Sequence, residues 1–372
     1  MDFAFDDAQE ELRRTVRAFL EETAPEAETR RVMETAAGYD PALWRRMGTE
    51  LGLQGLAIPE RHGGAGAGPV EVGLVMEEMG RALLCAPYLA SAVQATTTLL
   101  HGDDEEARSD LLPGLASGDR VATLALTEDT ARWDREGVAL TARPQEDGGW
   151  LLNGHKTFVL DGAQADVILT IAETPGGIGI FRVDGGAPGL IRTALTTLDP
   201  TRRQARLEYR DVPARRLRTA GDAWGLVELV LHHSAAALAA EQVGVASRAL
   251  ETAVEYAKVR HQFGRAIGSF QAVKHLLADV LMEVESARAA AYAALLSAQQ
   301  GGTDLPAMAS LAKSFCSDAC LQATQGSIQV HGGIGFTWEH PAHLYFKRAK
   351  TSQLLLGDPA HHRELLARTI GV

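Results

Sequence analysis

A long stretch of helical periodicity dominates the second half of this sequence. From Leu226 to Val254, apolar residues recur every three to four positions, and no proline interrupts them. Gly264 then breaks the pattern, Ser269 offers a side chain that can cap a new helix, and the same spacing resumes at Phe270. The sequence therefore predicts two long antiparallel helices joined by a short turn.

Helical patterns also fill the first third of the chain and its carboxyl-terminal part. Asp6 or Asp7 can start the first helix, and Pro41 suits the first position of a later one. Other helical patterns are expected over Pro69 to Leu84, Asp103 to Ala116, Phe270 to Gln299 and Pro306 to Val330. The last long helices of the chain predict an antiparallel bundle.

Between these helical parts the hydrophobic period changes to two. Short runs rich in β-forming residues, separated by Gly, Pro and Asp, predict strands over Val121 to Thr127, Val138 to Ala142, Trp150 to Leu152, Thr157 to Leu160, Val167 to Ile171, Ile178 to Val183, Leu190 to Thr193 and Ala205 to Tyr209. No helices alternate with them, which favours a small barrel or sandwich over a nucleotide-binding parallel sheet. We predict an α+β multi-domain fold, with a helical amino-terminal domain at 1–120, a central β-barrel at 121–217 and a four-helix bundle at 218–372.

Charge and composition exclude several classes of partner. The net charge of -12 argues against nucleic acids and anionic membranes, which require clustered basic residues. The first residues, MDFAFDDAQEELRRTV, are acidic where a signal peptide is basic, and no apolar run is long enough to span a bilayer, so we expect a cytoplasmic protein. Cys316 and Cys320 lie in an apolar helical pattern that favours core packing, and the histidines lack metal-ligand spacing, so no metal site is expected.

The predicted helical turn carries a distinctive string, RHQFGRAIGSFQAVKHLLAD, which begins at Arg260. An arginine and an aromatic ring at an exposed corner suit a pyrophosphate and a flat heterocycle, although a salt-bridged turn explains the same residues locally. The string resembles the helix hairpin of the acyl-CoA dehydrogenase family. That resemblance implies that Arg260 and Phe263 reach the FAD of a neighbouring subunit.

A second string, QVHGGIGFTWEHPAHLYFKRAK, starts at Gln329 and resembles another cofactor-binding stretch of the same family. Its bare glycines, Gly332 and Gly333, would let backbone amides approach a ligand closely, while a plain helix stop is the local alternative. The resemblance covers nearly the whole chain. It implies an FAD-dependent enzyme that removes hydrogen from the α- and β-carbons of an acyl-CoA thioester.

The resemblance also identifies residues that would serve the chain's own flavin. Thr127 and Glu128 match a threonine-glutamate pair that meets the isoalloxazine ring in the family. Phe158 stands where a ring-stacking tryptophan is usual, and Leu160 stands where a hydroxyl normally bonds the flavin. Phenylalanine can still pack on the ring, whereas leucine loses the hydrogen bond.

Neither of the family's usual positions for the catalytic base holds a carboxylate. Most members have a glutamate where this chain has Leu356, and others have it on the long helix at the position of Ser234. The nearest substitutes are Glu241, which lies roughly 10 Å further along the same helix face, and Asp358, which also fits a helix cap. Losing a general base typically costs a factor of about 10² to 10⁴ in rate.

These departures leave three hypotheses. In the first, the chain is the base-lacking subunit of a hetero-oligomer whose sister acyl-CoA dehydrogenase subunit carries the glutamate, as in the paired α2β2 enzymes of actinobacterial steroid side-chain breakdown that the sequence resembles. In the second, the chain is a self-sufficient homodimer or homotetramer that uses Glu241 or Asp358. In the third, it is a flavin oxidase or monooxygenase on the same scaffold. For the dehydrogenases, the resemblance implies an electron-transfer flavoprotein as the electron acceptor.

Overall fold

A computed structural model of the chain describes residues 5–146 and 148–372. These residues form two compact units. The barrel unit comprises Val32–Gly68 and Cys85–Ser234, and the helical unit comprises the described residues up to Arg31 together with Pro69–Leu84 and Ala235–Val372. Because the units alternate along the chain, the three sequential domain boundaries expected from the sequence stay a prediction.

Helices make up most of both ends of the chain. They are α1 (Asp7–Thr23), α2 (Glu26–Met33), α3 (Pro41–Leu51), α4 (Pro69–Ala82), α5 (Thr96–His101), α6 (Glu105–Ala116), α7 (Trp224–Val259), α8 (Gln271–Gln300), α9 (Leu305–His331), α10 (Ala342–Leu354) and α11 (Pro359–Ile370). A π-helical turn over Leu89–Ala95 leads directly into α5. The predicted helices are therefore present, while α2 and the Leu89–His101 segment were not predicted.

Several helix starts follow from local chemistry. Asp6 caps α1 by accepting from the backbone N–H of Gln9 at 2.8 Å, and the Gln9 side chain bonds back to Asp6. Pro41 begins α3, as expected, because its missing N–H and fixed φ suit that position. The expectation that Ser269 caps the helix after the turn is wrong, since its hydroxyl donates to the Ala266 carbonyl at 2.7 Å instead.

The strands of the barrel unit close into a ring. They are β1 (Ala122–Ala125), β2 (Thr141–Pro144), β3 (Trp150–Leu160), β4 (Val167–Thr174), β5 (Gly177–Asp184), β6 (Leu190–Ala194) and β7 (Gln204–Arg216). The pairings run β4, β2, β3, β7, β5 and back to β4, so the predicted barrel is confirmed. β1 and β6 add to the free stretches of β4 and β7.

Strand β3 is a single strand, whereas the sequence predicted two separate strands in its place. The runs at Trp150 to Leu152 and Thr157 to Leu160 join into a single strand, and register shifts against β7 lie between Leu152 and Gly154 and between Lys156 and Val159. Such irregularities let one strand continue through a bend that breaks its alternation of side chains. The alternation in the sequence was therefore misleading here.

Small residues let the helices of the helical unit approach closely. Alanines 236, 239, 240, 287, 291 and 312 are buried with Cys316 in one core. A Cβ at Gly244 of α7 would lie 1.8 Å from the carbonyl oxygen of Glu77 on α4, so this crossing requires glycine. No helix among residues 5–146 and 148–372 is long and apolar enough to cross a membrane.

Candidate functional site

In the barrel unit, hydrogen bonds connect the residues just after β1 to the middle of β3. The Thr127 hydroxyl donates to the carbonyl oxygen of Thr157 at 2.6 Å, and the Thr157 N–H donates to the Thr127 carbonyl at 2.8 Å. Both side chains are buried. The fold therefore brings Thr127 next to the segment that carries Phe158, as a shared site would require.

Glu128 is fully engaged inside the protein. One carboxylate oxygen accepts from Lys156 Nζ at 2.7 Å and from the N–H groups of Ala139 and Leu140 at 2.9 Å. Burial lowers the pKa of Lys156 to about 8, although Glu128 opposes that shift. Burial alone would raise the pKa of Glu128, but the lysine and the two N–H groups outweigh it and hold the pKa below its ordinary value. Glu128 thus anchors the loop after β1 as an ionised group.

Phe158 is displayed by an unusual backbone. It lies at the second register shift of β3 with φ of 56°, and 41% of its side chain is exposed. Residues other than glycine rarely adopt such a conformation, which costs about 1–3 kcal/mol and occurs often at functional sites. Leu160, in contrast, is buried, and its carbonyl accepts from Thr123. The barrel unit presents an aromatic face without a hydroxyl at Leu160.

The helical turn between α7 and α8 is a miniature β-hairpin. His261 pairs with Ala266 and Gln262 with Arg265, which leaves Phe263 and Gly264 as the two turn residues. Both have positive φ, 54° and 78°, as in a type I′ turn. The ring of Phe263 is 93% exposed, so the strained backbone holds a large apolar side chain in solvent.

Arg260 enters this hairpin rather than forming its tip. Its N–H donates to Tyr256 at the end of α7, and its carbonyl accepts from Ile267 at 2.8 Å, so the backbone is fixed while the side chain is exposed. The tip predicted from the sequence, Arg260 to Phe263, is displaced towards Gly264. Two residues with left-handed φ are needed to close so tight a turn, and only this pair supplies them.

The second predicted cofactor stretch follows the end of α9. Gln329, Gly332 and Gly333 are all exposed. Gly332 has φ of 64° and ψ of -141°, a conformation almost restricted to glycine, and a Cβ at either glycine would meet nothing within 4 Å. Packing inside this chain therefore does not explain the absence of side chains, and the backbone is open to a ligand.

One apolar cluster brings the hairpin and the glycine turn to the same end of the helical unit. Ala253 and Ala257 of α7 pack with Val330 of α9, and Ile267 and Val273 beside the hairpin pack against them. The rings of Tyr256 and His331 also lie 4.5 Å apart. Five predicted cofactor residues thus share one end: Arg260, Phe263, Gln329, Gly332 and Gly333.

Ser234 and Leu356 stand at the two positions where the family resemblance would place the base, and both are buried. The Ser234 hydroxyl donates to the Val230 carbonyl at 2.6 Å. Leu356 is 3% exposed and has φ of 63°. A serine bonded to its own helix and an alkyl side chain both lack the basicity that α-proton removal demands.

Glu241 lies in a buried ion pair. Its carboxylate is 3.2 Å from Nη1 of Arg348, whose Nη2 donates to the Leu84 carbonyl at 3.3 Å. The two side chains are only 4% and 2% exposed. A carboxylate held in this way stabilises its partner's charge, and protonating it would remove a negative charge from beside the buried Arg348.

Asp358 acts as a helix cap. Its side chain accepts from the His361 N–H at 2.8 Å, and Pro359 follows as the first residue of α11. This is the structural alternative noted from the sequence. The carboxylate is therefore engaged at the start of a helix.

A buried lysine that sequence reasoning missed fixes the turn around Leu356. Lys313 is inaccessible to solvent, and its Nζ donates to the carbonyls of Gln353 and Gly357 at 3.1 Å each. Its third donor meets Ser317 Oγ at 3.0 Å, and burial lowers its pKa to about 7. The signal was a lone lysine within the apolar pattern of α9, but the carbonyls it binds could not be inferred from spacing.

Known protein families match this chain along almost its whole length. The chain matches the models for the acyl-CoA dehydrogenase N-terminal domain over residues 6–119, middle domain over 123–212 and C-terminal domain over 221–371. This chain is an acyl-CoA dehydrogenase family member. Membership implies an FAD-dependent oxidoreductase fold, and the resemblance stated from the sequence is confirmed.

Individual relatives cover almost the full length. The acyl-CoA dehydrogenase IpdE2 of Mycolicibacterium smegmatis is 36% identical over 361 residues, which is 97% of each chain. The structure of the Tcur3481-Tcur3483 steroid ACAD has a TM-score of 0.89 at 34% identity and covers 98% of each chain. The ChsE4-ChsE5 complex from Mycobacterium tuberculosis has a TM-score of 0.91 at 30% identity, covering 100% of this chain and 99% of the other.

The residues present fit FAD unequally in the two units. The helical unit offers an exposed arginine, an exposed ring and bare glycine amides, a set suited to a pyrophosphate and an attached heterocycle. In the barrel unit, Phe158 offers a ring surface, whereas the Thr127 hydroxyl donates to a backbone carbonyl and Leu160 offers no hydroxyl. The residues that would grip a neighbour's cofactor are thus more complete than those that would bind the chain's own.

Proposed function

We propose that this chain is the base-lacking subunit of a hetero-oligomeric acyl-CoA dehydrogenase. The sister subunit belongs to the same family and supplies the glutamate that takes the α-proton of the acyl-CoA substrate. This chain lends the sister's FAD its Arg260, Phe263 and the turn at Gly332 and Gly333. When bound, FAD accepts the hydride from the β-carbon, and an electron-transfer flavoprotein then removes the electrons.

One observation carries this proposal: both carboxylates that the sequence offers as substitutes for the base, Glu241 and Asp358, already have structural partners in this chain. Glu241 is paired with Arg348 away from solvent, and Asp358 caps α11. In contrast, Phe263 keeps 93% of its surface exposed on a strained turn. Strain and exposure at that turn have no benefit to an isolated chain, but both are useful if a neighbouring subunit receives the ring.

The solved relatives support the same assembly. One is the Tcur3481-Tcur3483 steroid ACAD, and another is the ChsE4-ChsE5 complex of Mycobacterium tuberculosis. By this likeness we propose a steroid-derived or similarly bulky acyl-CoA as the substrate. The reaction involves only the thioester and its α- and β-carbons. Selection of a bulky acyl group such as a steroid would therefore depend on the shape of the binding pocket.

Purification with and without the sister tests the proposal. The chain is expressed alone and together with glutamate-bearing acyl-CoA dehydrogenase chains of the same genome, and flavin absorbance per subunit is measured. We expect weak flavin binding alone, and stoichiometric FAD and acyl-CoA dehydrogenation only in the mixed complex. A lone chain with one FAD that reduces it rapidly with acyl-CoA would show instead a self-sufficient dehydrogenase. Oxygen consumption without an acceptor flavoprotein would favour an oxidase.

The catalytic variants separate the subunits further. Replacing the sister's glutamate by glutamine should abolish turnover, because the mixed complex has no second base. In this chain, Asp358→Asn should leave turnover within about twofold, since asparagine also caps helices well. A loss of 100-fold or more on Asp358→Asn would place the base in this chain.

A further inference from the structure

A large aromatic side chain stands in solvent beside the glycine turn. Trp338 is 59% exposed, and its neighbour Phe336 is 74% exposed. Both follow Gly332 and Gly333 in the segment that leads to α10. Two large apolar rings this close together in a chain and this exposed mark an interaction surface more often than scattered single residues do.

The indole of Trp338 is already held in place by α10. The ammonium of Lys347 lies 4.6 Å from the ring centroid, and the His343 imidazole meets the ring edge-on with centroids 4.6 Å apart. His343 itself is only 7% exposed and therefore gives firm support. A ring that is ordered before binding loses little freedom when a partner covers it.

This aromatic surface is continuous with the hairpin end of the helical unit. The rings of His340 and His331 lie 4.2 Å apart, and His331 in turn lies 4.5 Å from Tyr256 at the end of α7. A row of packed rings thus connects the segment of Trp338 to the end of α7, just before Arg260. A subunit that receives the hairpin would also approach this surface.

We infer that Trp338 is an anchor for the sister subunit, inserting its exposed ring into an apolar pocket of that protein. The inference rests on the proposed function and names the contact that joins the two chains. Lys347 and His343 hold the indole in place, yet 59% of Trp338 stays exposed and can be covered by a partner. Tryptophan is also among the residues that most often dominate protein interfaces.

Affinity measurements on the co-expressed and then separated subunits test this inference. Trp338→Ala should weaken association with the sister about 30-fold, equivalent to about 2 kcal/mol at 1.4 kcal/mol per tenfold. Trp338→Phe should recover part of the loss. Ile370→Ala on α11 is the matched control, because it also truncates a large apolar side chain that is 61% exposed, and association of this variant with the sister should stay within about twofold.

Lys347 gives an independent test that leaves the tryptophan intact. Lys347→Met removes the cation over the ring and should weaken association about threefold to tenfold, whereas Lys347→Arg should restore it. Unchanged association of Trp338→Ala would overturn the inference. So would a Trp338→Ala complex that assembles normally but releases FAD, because that result assigns the ring to the cofactor. If the wild-type chain never joins a sister, the proposed function itself fails.

Discussion

Replacing Glu241 by glutamine separates a structural carboxylate from a catalytic one. The substitution keeps the side-chain volume and one hydrogen-bond acceptor but removes the negative charge opposite Arg348. Both side chains are at least 96% shielded from solvent, so water cannot compensate the remaining guanidinium. The structure therefore predicts a loss of stability and no specific loss of chemistry.

The magnitude follows from the burial of the pair. Removing one partner of a buried ion pair costs about 3–5 kcal/mol, and the acceptor that glutamine retains places this case near 3 kcal/mol. At roughly 2.1 cal/mol/K per residue, unfolding a chain of 372 residues has an entropy of about 0.8 kcal/mol/K. Glu241→Gln should then lower Tm by about 4 °C.

Two companion variants make the result interpretable. Glu255→Gln lies on the same helix but is exposed, and it should change the free energy of unfolding by less than about 0.5 kcal/mol. Arg348→Met combined with Glu241→Gln removes both charges and should recover much of the lost stability, because no unpaired charge remains. The measurements are thermal and urea unfolding of the purified chain.

Turnover of the mixed complex decides between the two roles. If the ion pair is structural, Glu241→Gln keeps acyl-CoA dehydrogenation within about twofold below its Tm. A base would lose about 10² to 10⁴ in rate. An unchanged Tm together with a collapse of turnover would refute the reasoning and favour a self-sufficient enzyme.

Three further perturbations follow from the site geometry. Phe263→Ala should leave the Tm of the lone chain unchanged, because the ring is 93% exposed. The same variant should reduce the amount of FAD per mixed complex, measured by absorbance. An FAD content equal to that of the wild type would contradict a contact between Phe263 and the sister's cofactor. Gly332→Ala should destabilise the turn by about 1–3 kcal/mol, because Gly332 has a positive φ, and it should also reduce bound FAD. Gly333 lacks a positive φ, so Gly333→Ala should reduce only bound FAD. If neither variant changes FAD content, the exposed glycine backbone is not a cofactor site. The pKa of Lys313 falls from 10.5 in the unfolded chain to about 7 in the folded chain. Between these values the unfolded chain binds more protons, so the free energy of unfolding should rise with pH more steeply in the wild type than in Lys313→Met. Parallel Tm profiles of the two proteins over pH 7–10 would show that the lysine does not titrate in this way.

Periodicity was sufficient to predict most of the helices in this chain. The run from Leu226 to Val254 lies within one continuous helix, α7, because its apolar spacing matches 3.6 residues per turn and nothing in it breaks a helix. Asp6 and Pro41 marked helix starts because caps act over two or three residues and are therefore written locally in the sequence. The family resemblance likewise depended on contiguous strings.

Contacts between residues far apart in sequence needed the tertiary structure. The sequence presented Glu241 only as a carboxylate on a helix, and its ion pair depends on Arg348, which is 107 positions away. Lys313 similarly binds carbonyls 40 and 44 positions away. No local spacing in the sequence predicts these contacts, because they form only when α7, α9 and α10 pack together.

The sequence by itself determined that positions 356 and 234 hold no carboxylate, since an alkyl and a hydroxyl side chain cannot become carboxylates in any fold. Tertiary structure decided what the remaining carboxylates do and how the hairpin displays its ring. Burial places Glu241 beside Arg348, and two left-handed residues leave Phe263 exposed. Both effects come from the surroundings that packing creates, which is why composition and spacing could not supply them.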